Sequence, residues 1–306
     1  MRPLKNPSEV AIIGGGLAGL SAACHMARLG RLVTLFEGSY MFGGLVATVD
    51  EVHGLGIPGK YSGQDLAIHL LEEARKNAVQ IIEAGIDTIE TGNVLRITDA
   101  EGNIHKPETI IVASGASLRK LGVPGEEAFT GRGVSRCATC DGGFFRGQDV
   151  VVTGSGDAAV EEALVLAKLC KSVIMVCRSP LKAKRAYVDK IASRDNVTFI
   201  WDSEITEILG DNGVTGVRVR HVKTGASTDI ECAGLFPFIG VSPNTSFLPA
   251  ALLTPSGHIT TSAGLVTADP RIFAAGAVRA AYGGNIVQAM AEGVTAAEAA
   301  FRQLTS

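Results

Sequence analysis

Three things are missing from this sequence, and each removes a class of function. There is no surplus of positive charge: 28 Lys and Arg stand against 31 Asp and Glu, a formal net charge of -3. That leaves no polybasic field for a nucleic-acid backbone or an anionic membrane. There is no long apolar run near the start, where Arg2 and Lys5 precede only residues 10–13 before the chain breaks into Gly14-Gly15-Gly16, far short of a signal core or a membrane span. The six cysteines, at 24, 137, 140, 170, 177 and 232, do not form the evenly spaced set of a secreted disulfide framework. Their one close pair also lacks the second Cys or His pair that zinc requires. The expectation is a cytoplasmic, soluble protein with no metal, no nucleic-acid partner and no membrane.

What the sequence does hold is a repeated glycine-rich module. Residues 9–13 read as a short buried strand, Gly14-Gly15-Gly16-Leu17-Ala18-Gly19 as a tight turn, and residues 20–29 as a helix. The first glycine permits the turn, the second lets backbone approach a pyrophosphate, and the third lets the helix pack on the strand, its N-terminus facing the phosphates. A second strand, 32–36, ends at Glu37, 23 positions after Gly14, where a carboxylate accepts hydrogen bonds from ribose hydroxyls.

The module recurs 140 residues later, with a strand at 149–153, the turn Gly154-Ser155-Gly156-Asp157-Ala158-Ala159, a helix at 160–169 and a second strand at 172–176. Here the position 23 after the first glycine is Cys177, followed by Arg178. An acid there would repel a 2′-phosphate, whereas Arg178, with Lys182, Lys184 and Arg185, attracts one. The first site is therefore expected to take FAD and the second NADPH. Cys177 is read as packing, and Cys24, Cys170 and Cys232, among apolar neighbours, as small buried hydrophobes.

Between the two modules and joined to the second lies Cys137-Ala138-Thr139-Cys140, followed at once by Asp141-Gly142-Gly143. Two thiols with two residues between them close into a small disulfide that stores and passes on two electrons. Around these motifs, 63–83 has the length and periodicity of a helix and 87–113 reads as short strands about a turn at 99–103. Residues 108–113 form a buried strand ending in Ser114-Gly115-Ala116. Residues 197–236 are strand-rich, 272–276 resemble a final buried strand and 285–303 a closing helix.

With the two fingerprints, the segment 113–116, Gly122-Val123-Pro124-Gly125 and above all Cys137-Ala-Thr-Cys140-Asp141-Gly142, the chain resembles the low-molecular-weight thioredoxin reductases over essentially its full length. The resemblance implies an α/β fold of two Rossmann-like nucleotide-binding domains of the three-layer ββα type, the second inserted into the first. Residues 1–116 and 241–306 would form the FAD domain, and 117–240 the NAD(P)H domain carrying the redox pair. It implies a homodimer in which the smaller domain rotates about hinges near 116 and 240, and a thioredoxin-like protein as electron acceptor. Cys137 would attack that partner, Cys140 would face the flavin, and Asp141 would serve as general acid and base. Arg132, Arg136 and Arg146, near the dithiol, are expected to steer an acidic partner. FAD would lie against Gly14, Gly16, Leu17, Ala18, Gly19 and Glu37, and against Gly43, Gly44 and Gly115. NADPH would lie against Gly154, Gly156, Asp157, Ala158, Arg178 and Arg185.

Several positions depart from that family's pattern. Gly276 is followed by Ala277 where an Asp usually holds the ribityl chain, and an Arg-Gln-Ala near the flavin's pyrimidine edge reads Val287-Gln288-Ala289, leaving Gln288 and the helix N-terminus to do that work. Leu45 stands where Gln is usual, and Val52-His53-Gly54 replaces a Glu-Asn pair. On the second site, His-Arg-Arg has become Cys177-Arg178-Ser179. These departures keep two other functions in play. One is a flavoprotein dithiol–disulfide oxidoreductase that takes electrons from ferredoxin or another donor, or passes them to oxygen. The other is a noncatalytic flavin-binding redox sensor.

Overall fold

The computed structural model describes residues 9–49, 51–52, 55 and 58–305, so His53 and Gly54 lie outside the described residues. The chain divides into two compact units, Met1–Ser117 with Ser242–Ser306, and Leu118–Val241. The crossing segments Ala116–Leu118 and Val241–Pro243 pair as a two-stranded ribbon.

The first unit is built on five parallel strands in the order Ile272–Ala274, Thr109–Val112, Val10–Ile13, Val33–Phe36, Gln80–Ile82. Side chains alternate across a strand, so a sheet covered on both faces needs continuous apolar runs. Val10, Ile12 and Ile111 pack under the helices Leu17–Arg28 and Ile286–Leu304. Ala11, Ile13, Ile110 and Val112 face Leu95 and, beside it, Ile89 and Ile97 of a small antiparallel sheet, Ile86–Glu90, Arg96–Asp99 and Ile104–His105. The second unit repeats the three layers on four parallel strands ordered Val197–Trp201, Ser172–Cys177, Asp149–Thr153, Gly234–Pro237. Val150 and Val152 lie against the helix Asp157–Leu166, while Val151 faces the antiparallel strands Ser203–Gly210, Val214–His221 and Ser227–Glu231.

Two elements differ from the sequence reading for local reasons. The helix expected over 63–83 ends at Lys76, although it begins as expected, with a capping box between Ser62 and Asp65. Ala78 takes a left-handed φ of 58° and Val79 returns its N–H to Ala74 O, and the chain leaves as the edge strand Gln80–Ile82. Both fingerprint helices also start about one turn earlier than their apolar periodicity suggests, at Leu17 and Asp157, directly behind Gly16 and Gly156.

Candidate functional site

The first fingerprint is a cradle that side chains would fill. Gly14 has φ 105°, and a Cβ there would lie 2.4 Å from Ala113 O, while one on Gly19 would lie 1.9 Å from Gly14 O. Glycine is obligatory at both for different reasons, backbone sign at one and helix–turn contact at the other. A Cβ on Gly16 would meet nothing nearer than Gly43 O at 4.0 Å, so the space in front of the helix stays open. No side chain caps that helix, and its first N–H groups are available to an anion. Glu37 closes the cradle: Oε2 accepts the Gly15 N–H at 2.6 Å and Oε1 the Ser39 N–H at 2.8 Å.

Other expected flavin contacts gather at the same place. Gly43 donates its N–H to Gly15 O at 2.8 Å, and a Cβ on Gly276 would lie 3.1 Å from Ala18 Cβ. Ser114 borders Gly14, with Gly115 next in the chain at φ 66°. Leu45 is exposed. Gln288 is already committed. Its N–H goes to Asn285 Oδ1 (2.8 Å), its Oε1 accepts from Gly283 N–H (2.9 Å) and its Nε2 donates to Glu292 (2.8 Å). The helix therefore begins one turn before Gln288, with Asn285 as its cap, and its leading donors belong to Ile286 and Val287. Ala289 is buried behind them. Glu292, buried, also accepts from Gly276 N–H (2.7 Å) and from Arg279 (2.5 and 3.0 Å). Burial alone would raise its pKa, but these donors overcome that and hold it below the usual carboxylate range. Arg279 and Glu292 thus fix the Gly276-Ala277 turn from below, a role with no local cue in the chain.

In the second fingerprint a Cβ on Gly154, at φ 139°, would lie 2.2 Å from Phe238 O, and Gly156 again faces open space. The helix behind it likewise has no side-chain cap. Asp157, in its first turn, accepts the Lys184 N–H at 2.7 Å and pairs with Lys184 Nζ at 3.3 Å. Arg185 pairs with Asp189 at 2.7 Å. All four residues of the expected basic cluster are exposed; Lys184 and Arg185 sit in surface ion pairs, Arg178 and Lys182 make none among the described residues, and Lys182 N–H bonds Ser155 O at 2.7 Å. Cys177 is fully buried, its thiol donating to Gly154 O at 3.3 Å, and burial pushes its pKa up to about 11. It packs beneath the turn rather than reaching a ligand. Burial likewise raises the thiols of Cys24 and Cys170, and pushes Cys232 up to about 12.

Cys137 and Cys140 form a disulfide, with Cα atoms 5.3 Å apart, at the start of the short helix Ala138–Asp141. Cys137 Sγ accepts the Cys140 N–H at 3.1 Å. Asp141 is held by a residue the sequence reading passed over. Buried Ser135 accepts the Cys137 N–H at 3.2 Å and donates its hydroxyl to Asp141 Oδ2 at 2.7 Å. Ala138 N–H donates to Glu162 Oε2 at 2.6 Å. Arg136 reaches buried Glu126 at 2.9 Å, and Glu126 also accepts from Leu121 and Gly122 N–H. Arg132 bonds Ala128 O, which leaves Arg146, exposed, and Phe144, 79% exposed, as the free groups beside the dithiol. Among the described residues no cluster of three or more His, Cys, Asp and Glu could hold a metal, and no helix is long and apolar enough to cross a membrane.

The comparisons with known proteins agree with this geometry. The family model described as pyridine nucleotide-disulphide oxidoreductase matches residues 8–302. The chain is 38% identical over 295 residues to the thioredoxin reductase of Treponema pallidum, covering 95% of each, and 38% identical over 255 residues to that of Streptomyces coelicolor, covering 82% of this chain and 79% of the relative. Among solved structures, the thioredoxin reductase of Lactococcus lactis matches with a TM-score of 0.92 at 33% identity, over 97% of this chain and 99% of that one.

Proposed function

The chain belongs to the pyridine nucleotide-disulphide oxidoreductases, and from that membership we propose that it is a thioredoxin-disulfide reductase, using NADPH to reduce the disulfide of a thioredoxin-like protein with FAD as resident cofactor. The observation that carries the reading is the Cys137–Cys140 disulfide, set in the same unit as the second fingerprint and beside a positioned carboxylate. Both cradles fit their nucleotides: open space at Gly16 and Gly156, uncapped helix starts, a ribose-type acid at Glu37 and an exposed guanidinium at Arg178. When bound, FAD supplies the relay of an electron pair between nicotinamide and disulfide.

The chain's own residues govern the exchange that follows. One sulfur must attack the partner and the other must resolve the mixed disulfide. We assign attack to Cys137 and resolution to Cys140. Ser135 binds the Cys137 backbone and Asp141 together, so the carboxylate and the sulfurs keep a fixed register while Asp141 Oδ1 is left to take or give the exchange proton. Phe144 and Arg146 offer an apolar contact and a positive charge to an acidic partner. The assembly is a homodimer, a reading supported by exposed Val287 and Val294, seven residues apart on the closing helix, with sedimentation as its check.

Anaerobic NADPH titration tests the donor. The flavin should bleach, and added thioredoxin should restore its colour over many turnovers, with Cys140→Ser abolishing turnover but leaving the bleaching. An unbleached flavin would transfer the function to another electron donor or to oxygen, and a single stoichiometric reduction would make the protein a sensor.

A further inference from the structure

A second acid touches the dithiol turn, and the exchange chemistry above does not use it. Glu162 lies on the helix of the second fingerprint, Asp157–Leu166, and its Oε2 accepts the N–H of Ala138, the residue after Cys137, at 2.6 Å. Ala138 is fully buried, and the carboxylate is half-buried with Glu161 as its charged neighbour on the same helix and Asp141 on the turn. Burial, with a smaller contribution from Glu161 and against the Ala138 N–H, pushes its pKa up to about 6, so it is mainly ionised at neutral pH.

The position of Cys137 makes that charge consequential. Cys137 is the N-cap of its turn, in extended conformation, with Sγ facing the Cys140 N–H. Such a place stabilises a thiolate. A dithiol whose thiolate is stabilised gains that stability on reduction and is a strong oxidant, the reverse of what a reductase needs. Glu162 removes one donor from the start of the turn and places a negative charge one residue from the sulfur. Both effects oppose the thiolate, and so keep the reduced pair willing to give its electrons away.

We propose that Glu162 is a positioning residue that holds the Cys137–Cys140 pair reducing, by binding the Ala138 N–H and setting its charge beside the nascent thiolate. The inference deepens the reductase reading and rests on it, but its test needs neither NADPH nor thioredoxin, so the two fail separately.

The holoenzyme is equilibrated in glutathione buffers at a pH well above the carboxyl's own titration. Two glutathione thiols become one glutathione disulfide as the Cys137–Cys140 bond opens and takes up two electrons, both protons being kept where Cys137 is a thiol and one released to solvent where it is a thiolate. Acid quenching and labelling with a heavy maleimide then count two extra thiols in the reduced form, against the same four from Cys24, Cys170, Cys177 and Cys232. Glu162→Gln keeps an oxygen for Ala138 and removes only the charge. Its equilibrium constant for reduction should rise about tenfold, the order expected of one charge about 6 Å away at an effective dielectric near 40, between the protein-surface and bulk-water values. Glu161→Gln removes the same charge without touching Ala138 and should move it less than about threefold. An unchanged or lowered constant in Glu162→Gln overturns the proposal, and so does an equal shift in both variants. Should Glu162→Gln not fold, the unaltered protein decides. Its Cys137 thiol, followed by alkylation rate against pH, should titrate at or above the free value of about 8.5, and a value below about 7 overturns the inference.

Discussion

In the first fingerprint the leading glycine is pressed against the Ala113 carbonyl, and in the second against the Phe238 carbonyl, each where the chain leaves a neighbouring parallel strand. The third glycine-turn position, Gly16 or Gly156, is open in both, and neither helix is capped. The cradles differ in the turn, where Leu17 and Gly19 of the first are Asp157 and Ala159 in the second, and again at the end of the second strand. There Glu37 is half-buried and bonded to the first turn, while Cys177 is buried under the second turn and hands the outward position to Arg178. On the proposed reading, backbone geometry supplies what the two sites share, an affinity for a pyrophosphate, and the side chain at the end of the second strand decides the ribose that is accepted.

The largest effect should come from filling the cradles one at a time. Gly14→Ala and Gly154→Ala each force a Cβ into a carbonyl at a φ that L-residues avoid, costing about 3 kcal/mol or more, near a hundredfold in affinity. Gly14→Ala should be purified with little flavin, whereas Gly154→Ala should stay yellow but bind NADPH weakly. Absorbance per chain and a nucleotide titration report the two. If both variants lose flavin, the assignment of one cofactor to each cradle is wrong.

A smaller contrast separates the two antiparallel layers. In the first, buried Asp99 accepts from Glu101 and Asn103 N–H at 3.0 and 2.9 Å and lies 2.9 Å from His105 Nε2. Burial works to raise its pKa, but these partners more than offset it and hold the carboxyl low. In the second, Arg218 pairs with Asp229 and Glu207 in the open. Removing a buried carboxylate strands its hydrogen-bond donors and costs about 3 kcal/mol, whereas losing an exposed ion pair costs below about 1 kcal/mol. Asp99→Ala should accordingly lower the thermal midpoint several degrees more than Arg218→Ala. Because the folded pKa of Asp99 is depressed, its contribution is complete above the unfolded value near 3.9 and disappears as pH falls through the lower folded one. The difference between the variant and the parent should therefore narrow in acid, and a constant difference down to about pH 2 would falsify the ionic account.

Much of this was legible in the chain because it is written locally. Glycine at 14, 16 and 19 and again at 154 and 156, apolar runs before them, and Cys137 and Cys140 with one helical turn between them each carry their meaning within a few residues. The strand Gln80–Ile82 was hidden because its isoleucines continue the periodicity of the helix before it, and only the left-handed Ala78 shows the break. Ser135, Glu126 and Glu162 were hidden for a different reason. A serine two residues before a cysteine, or a glutamate 24 residues beyond an alanine, acquires a role only when the fold brings it to the dithiol turn. Gln288 is named by its motif, but its bonds to Gly283 and Glu292 and the Asn285 cap beneath it come from residues on both sides of the motif and are not legible in it.

The finest test bears on the end of the second strand, where the first cradle has Glu37 and the second Cys177 and Arg178. Lys184 pairs with Asp157 and Arg185 with Asp189, whereas Arg178 makes no ion pair among the described residues, and on the proposed reading the 2′-phosphate selectivity of the second site should fall mainly on it. Arg178→Ala should weaken 2′,5′-ADP about tenfold, the worth of one charge-assisted contact, and leave 5′-ADP within about twofold. Cys177→Ala, which trims a buried thiol beneath the turn, should lower stability by about 1 kcal/mol and change neither affinity. Calorimetric titration of both ligands distinguishes the two roles. If Arg178→Ala weakens both nucleotides equally, the guanidinium serves the pyrophosphate instead, and the second cradle owes its preference to Lys182 or to a rearranged Lys184.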